Sequence, residues 1–129
     1  DLLKAGVLIA NNQVECHPYL NQEALLAFCQ QHKIVVTAYS PLARGKVFED
    51  PQILQIAQKY TKTAGQVVLR WLLQKGLPVI PKGSSPAHIQ ENFEIFDFQL
   101  DAAAMQLMNG LHLKKSERLI TPDFNEFTY

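Results

Sequence analysis

The chain is poor in cysteine, has a single tryptophan and carries no surplus charge of either sign. Two thiols, Cys16 and Cys29, make no disulfide framework, so the fold must rest on an apolar core, and a reducing cytoplasm is the expected compartment. Twelve Lys plus Arg balance twelve Asp plus Glu. That balance excludes the broad one-signed field that draws nucleic acid or an anionic membrane, and any anion site must be local. Apolar stretches such as Ile34-Val35-Val36-Thr37-Ala38-Tyr39 fall far short of the roughly 20 residues needed to span a bilayer. The opening Asp1-Leu2-Leu3-Lys4 shows no basic region followed by an apolar run, so no leader is expected there. Internal repeats, low-complexity stretches and linker-like composition breaks are missing too, and one domain is expected.

What the 129 residues do contain is a 47% apolar complement, enough for a core, distributed in two periods. Val7 to Val14, Ile34 to Tyr39 and Leu77 to Ile80 read as strands, and they alternate with helical patterns, as parallel βα units do. Glu23 to Gln31 places Leu25, Phe28 and Cys29 on one helical face, with Asn21 as the expected N-cap and Lys33 near the exit. Asp50-Pro51 opens a second helix, with Ile53, Leu54, Ala57 and Tyr60 in its stripe. Thr63-Ala64-Gly65-Gln66 is a capping-box pattern. Ala64, Val67, Val68, Trp71 and Leu72 then recur at helical spacing until Gly76 ends the element. Pro86 to Asn92 and Asp101 to Asn109 are the last two expected helices, the second facing Ala104, Met105 and Met108 inward. The segment 112–129 reads as an irregular tail. Three parallel strands make a poor sheet alone, because both outer strands expose unpaired backbone groups unless something covers them.

One corner carries a chemical signal. Ile80-Pro81-Lys82-Gly83-Ser84-Ser85-Pro86 reads as a buried strand end, a small-residue turn and a helix start, with Ser85 as N-cap and Pro86 at the first helical position. The amides and dipole of such a helix would face an anion held beside Lys82, which suits a nucleotide phosphate. The same residues also fit an ordinary strand-to-helix corner with a solvated lysine.

Four motifs extend that signal: Asn12-Gln13-Val14-Glu15-Cys16-His17-Pro18-Tyr19-Leu20, Ala38-Tyr39-Ser40-Pro41-Leu42, Ile80-Pro81-Lys82 and Glu91-Asn92-Phe93-Glu94-Ile95-Phe96-Asp97-Phe98. In order and spacing, with Val68-Leu69-Arg70-Trp71 between the second and third, they resemble the second half of an aldo-keto reductase. The resemblance runs from Asp1 to about Gly110. The ending Glu117-Arg118-Leu119-Ile120-Thr121-Pro122 resembles short-tailed bacterial members related to 2,5-diketogluconate reductase B and methylglyoxal reductases. The family fold is a (β/α)8 TIM barrel, which needs about 250 residues, so the resemblance implies an α/β C-terminal half-barrel carrying strands six to eight. It also implies that the family's catalytic aspartate, tyrosine, lysine and histidine lie outside this sequence, so no residue here is expected to be catalytic.

The resemblance further implies that this half supplies most of the bed for NADPH, with NADH possible. Gln13 matches the residue that hydrogen-bonds the nicotinamide carboxamide, and Tyr39 the aromatic on which that ring stacks; without the family context both would read as ordinary buried residues. Ser40 and Leu42 match the loop against the pyrophosphate. Arg44 and Lys46 follow in a loop that in the family can close over the cofactor, where their charges either assist or are simply solvated. Lys82, Ser84 and Ser85 match the pocket for the adenosine 2′-phosphate, and Glu91 and Asn92 match contacts to the adenine and adenosine. Two positions depart from the pattern. Gly83 stands where serine is common, and His88 stands where many members have an arginine that pairs with the 2′-phosphate. A histidine is only partly charged near neutrality and lacks the bidentate fork, so a reduced, pH-dependent preference for NADPH is expected.

Competing chemistry finds little support. Cys16 and His17 are neighbours, expected on opposite faces of a strand, and no second cluster follows at metal-ligand spacing, which favours a structural His17-Pro18. His32 reads as a surface residue at a helix end. Glu15, Asp97 and Asp101 show no pairing suited to general acid and base work. The expected function is therefore part of a cytoplasmic NADPH-dependent aldo-keto reductase acting on small aldehydes or ketones, the isolated chain being inactive. The competing expectation is a non-enzymatic half-barrel that binds a dinucleotide or a partner through its open edges. The expected partners are the missing N-terminal half-barrel or a second copy of the chain, with no nucleic acid and no membrane.

Overall fold

Strand β1 (Asn11–Glu15) leads into helix α1 (Glu23–Gln31), strand β2 (Val35–Tyr39), helices α2 (Pro51–Tyr60) and α3 (Ala64–Gln74), the two-residue strand β3 (Val79–Ile80) and helices α4 (Pro86–Phe93) and α5 (Ala102–Lys114). The computed structural model describes residues 2–114 and 117–120. The three strands form one parallel sheet in the order β1, β2, β3, with Gln13 opposite Thr37, Glu15 opposite Tyr39 and Tyr39 opposite Ile80.

Side chains alternate between the two faces of a strand, and here the faces have opposite fates. Val36 and Ala38 point into the core, joined by Val14 and Val79 at its margin. Asn11, Gln13, Val35 and Ile80 are exposed on the other face, with Thr37 and Tyr39 half-buried. The core is built on the first face from Val67, Val68, Trp71 and Leu72 of α3, Ile53 and Ile56 of α2, and Ala104, Met108 and Leu111 of α5. Trp71 is fully buried and its indole Nε1 donates to Asn109 Oδ1 at 2.8 Å.

The local signals for three helix starts hold. Asp50 accepts from the amides of Gln52 and Ile53, with Pro51 at the first helical position. Thr63 and Gln66 form a complete capping box. Ser85 Oγ accepts from the His88 amide. Each such cap contributes about 1 kcal/mol. α3 is buried more completely than its stripe implies: every residue from Ala64 to Leu69 is covered, because α2 and α4 pack on the sides that the sheet does not.

Several expectations need correction. β1 begins at Asn11 rather than Val7; β2 itself starts at Val35, and its first amide bonds Ala10 O, so Val7 to Ile9 have no ladder to join. The strand end at Ile80 is not buried, its side chain being 48% exposed. Asn21 does not cap α1: Gln22 holds that position in the left-handed region (φ 56°), while Asn21 Nδ2 donates to Glu23 Oε1 and to Asn109 O in α5. On α1 only Cys29 is buried and Phe28 is largely exposed. α5 continues to Lys114, so 112–114 are helical rather than part of an irregular tail. Glu117 to Ile120 have no regular structure, and the rest of the expected tail, with Thr121 and Pro122, lies outside the described residues.

Candidate functional site

The C-terminal end of a parallel sheet is where βα loops gather functional groups, and the expected residues lie on that rim or on the open face just below it. The alternation that buries Val36 and Ala38 turns Gln13 and Tyr39 to the open face, with Thr37 between them across the β1 and β2 ladder. Neither Gln13 nor Tyr39 is enclosed in a core, unlike the reading each would receive without context.

Beyond β2 the chain enters a tight loop. Ser40, Ala43 and Arg44 all adopt positive φ (51°, 49° and 52°), a conformation that costs non-glycine residues of order 1 kcal/mol each. The loop folds back on itself through amides of Ala43 and Gly45 donating to Ser40 O and Leu42 O. It brings Leu42 and Phe48 to one wall of a cavity of about 240 Å³ whose other walls are Gly65, Lys82, His88, Glu91 and Asn92. Five of the ten expected cofactor residues thus share one pocket although they come from separate segments of the chain.

That pocket is held from below by a polar stripe on α3. Gln66, Arg70 and Gln74 recur every fourth residue, hence on one helical face. Gln66 Nε2 donates to Glu91 O and Glu94 O, Arg70 Nη1 to Ile95 O, and Gln74 Nε2 to Leu100 O. These bonds fix α4 and the connection that follows it against α3. Sequence reading passed over the stripe, whose signal was the four-residue spacing of polar groups inside an apolar helix.

Two of the lining residues have side-chain partners: Thr63 Oγ1 donates to Glu91 Oε1 at 2.6 Å, and Ser84 Oγ lies 3.0 Å from His88 Nδ1. Ser85 Oγ accepts the α4 cap bond and keeps its O–H to donate elsewhere, while Ser84 is the hydroxyl of the turn that meets the histidine. Lys82, Ser84 and His88 are exposed. A cation, a hydroxyl, an imidazole and the N-terminal end of α4 are a donor set matched to a phosphate. Gly83 has its own reason: a Cβ there would come within 2.5 Å of Ile89 Cγ1. Arg44 is exposed, whereas Lys46 Nζ is paired with Glu117 Oε1 at 2.7 Å.

A larger groove, about 380 Å³, runs beside β3 among Leu73, Val79, Ile89, Phe93 and Phe96, and none of its lining residues is titratable. The titratable side chains Lys82, His88 and Glu91 line the smaller pocket instead. Among the described residues no three His, Cys, Asp or Glu side chains converge as metal ligands would, and no helix is long and apolar enough to cross a membrane. Burial pushes the Cys16 thiol up to about 11, against the opposing charge of Lys75, so it is no nucleophile near neutrality. His32 is the C-cap of α1 and exposed. Sequence reading found no partner for Glu15, yet Glu15 and His17 are both fully buried and meet at 3.1 Å between Oε1 and Nε2. Their i, i+2 spacing along an extended chain was the available clue.

Residues 2–112 match the sequence profile described as the Aldo/keto reductase family. The chain belongs to that family. It is 49% identical over 115 residues to aldose reductase B of Dictyostelium discoideum, covering 87% of this chain and 37% of that protein. It is 41% identical over 131 residues to aldo-keto reductase family 1 member D1 of Oryctolagus cuniculus, covering 92% and 40%. Among solved structures, a mutant of Gox0644 in complex with NADPH superposes with a TM-score of 0.87 at 38% identity, covering 99% of this chain and 46% of that one. The chain therefore spans less than half the length of these relatives. Its fold is the corresponding part of an aldo-keto reductase TIM barrel, and its open sheet face is the face such a barrel turns inward.

Proposed function

We propose that this half of an aldo-keto reductase barrel forms the NADPH bed of an enzyme that reduces small aldehydes or ketones, with the substrate-protonating group carried outside these 129 residues. One observation carries the reading: Leu42, Lys82, His88, Glu91 and Asn92 line a single rim pocket, on the sheet whose open face bears Gln13 and Tyr39. Lys82 and Ser84, with the start of α4, hold the adenosine 2′-phosphate by charge and hydrogen bonding. Glu91 and Asn92 meet the adenine and its ribose. Ser40 and Leu42 lie against the pyrophosphate, Gln13 pairs with the carboxamide through an amide that both donates and accepts, and Tyr39 stacks on the nicotinamide. The cofactor, when bound, supplies a hydride. Ser85 caps α4 through its oxygen and donates its hydroxyl proton to the 2′-phosphate.

His88 in the phosphate pocket makes the preference for NADPH over NADH modest and dependent on pH. The chain alone has no carbonyl reductase activity. Calorimetric titration tests the reading: NADPH is expected to saturate near one site per chain, and Lys82→Met to weaken it by about tenfold or more. The NADPH to NADH affinity ratio should rise in His88→Arg. Saturation that ignores Lys82→Met would remove the phosphate assignment.

A second reading, a non-enzymatic half-barrel that pairs with another chain, draws on the exposed Val35 and Ile80 of the sheet and on Phe93 and Phe96 beside β3. The missing N-terminal half-barrel and a second copy are the two candidate partners. Sedimentation across a wide concentration range distinguishes them, since self-association appears without any added chain.

A further inference from the structure

Glu15 is buried completely, with a side-chain exposure of 0%, at the C-terminal end of β1. A buried carboxylate is costly unless its lone pairs are satisfied. Here they are satisfied from far along the chain. The amides of Leu119 and Ile120 donate to its two oxygens, at 2.8 and 3.2 Å. The His17 imidazole completes the arrangement: its Nδ1 accepts from the Tyr19 amide, so in the neutral ring Nε2 carries the proton and donates to Glu15 Oε1. Arg118 Nη1 stands 4.0 Å from the other oxygen.

The same segment is tied to a second rim element. Glu117 donates its amide to Tyr19 O, and its carboxylate accepts from Lys46 Nζ in the loop after β2. Four residues of the C-terminal segment thus bridge the loop beyond β1 and the strained loop that walls the candidate pocket. We propose that Glu15 is a positioning residue that clamps residues 117–120 to the rim, and that through the Lys46 to Glu117 pair this clamp also steadies the Ala43 to Glu49 loop. The clamp itself does not depend on what the pocket binds. Its bearing on ligand retention rests on the dinucleotide reading.

Hydrogen exchange resolved by residue on the chain tests the clamp without any cofactor. Glu15→Gln keeps the shape but turns an amide donor toward the Ile120 N–H. The Ile120 amide is then expected to exchange about five- to tenfold faster, and the Gly45 amide, which donates to Leu42 O, to quicken with it, while Val68 to Leu72 of α3 hold their rates. A faster Ile120 with an unchanged Gly45 overturns the coupling, and an unchanged Ile120 overturns the anchor. If α3 loosens as well, Lys46→Met decides instead, because it leaves the buried carboxylate in place. Faster exchange at both Gly45 and Glu117 supports the clamp, and unchanged rates at either overturn it. A dinucleotide that fails to bind in the titrations above leaves these exchange outcomes intact, so the two readings fail separately.

Discussion

The two faces of the sheet share a backbone and differ in almost everything else. Val36 and Ala38 are buried in the core to which α2, α3 and α5 also contribute, while one residue away in register Gln13 and Ile80 are exposed and Thr37 and Tyr39 half-buried. The buried apolar side chains are concentrated on the first face, and the candidate ligand residues on the second and its rim. The partition follows from a period of two, which lets one strand serve a core and a site without compromise between them.

The sharpest break of this contrast is Trp71→Ala. It empties the centre of the covered face and frees Asn109, and is expected to lower unfolding free energy by about 3–5 kcal/mol in urea titrations. A loss below about 1 kcal/mol would mean that the covered face is not where stability resides. Next comes Gly83→Ser at the rim. Its Cβ would press on Ile89, and overpacking of this kind costs about 1–3 kcal/mol. Measured affinity for NADPH should fall with it, as α4 is displaced, even though a hydroxyl has been added.

Acid provides a smaller perturbation. Burial holds the His17 imidazole below its ordinary value, against the raising influence of Glu15. A histidine with a depressed folded pKa binds a proton more readily when unfolded, so its contribution is complete above the unfolded value of about 6.5. Stability then declines as pH falls from there toward the folded value, by at most about 1.4 kcal/mol per pH unit. His17→Gln should flatten the denaturation midpoint across that window; an unchanged slope would assign it to other groups. The smallest effect belongs to the open face: Tyr39→Leu should shift stability by less than about 0.5 kcal/mol while weakening reduced nicotinamide binding, measured by fluorescence titration.

What could be read beforehand was mostly local. Asp50-Pro51, Thr63 with Gln66, and Ser85-Pro86 announce helix starts because a cap is satisfied within four residues, and the structure keeps all three. Asn21 does not cap because the helix starts one residue later, with Gln22 at the cap position, while the Asn21 side-chain amide reaches Asn109, 88 residues away, a contact that no window reveals. β3 is short because Pro78 and Pro81 flank it and neither has an amide to offer a ladder. The pocket residues were legible through family resemblance, whereas the polar stripe of α3 and the attachment of residues 119 and 120 to Glu15 needed the packed chain. Lys46, expected beside the pyrophosphate or in solvent, also has a carboxylate partner in Glu117 while staying partly exposed.

The left-handed residues Ser40, Ala43 and Arg44 have a practical meaning for anyone engineering this chain. Glycine would relax each of them at once, yet it would also enlarge the set of shapes available to the unfolded loop. Ala43 is completely buried, so exchange there removes a methyl group from the interior as well. Arg44 is exposed and offers the cleaner substitution. Side chains at these positions restrict the loop to few conformations at the expense of steric ease, and a library built on glycine here would trade a wall of fixed shape for one that must be ordered anew by each ligand.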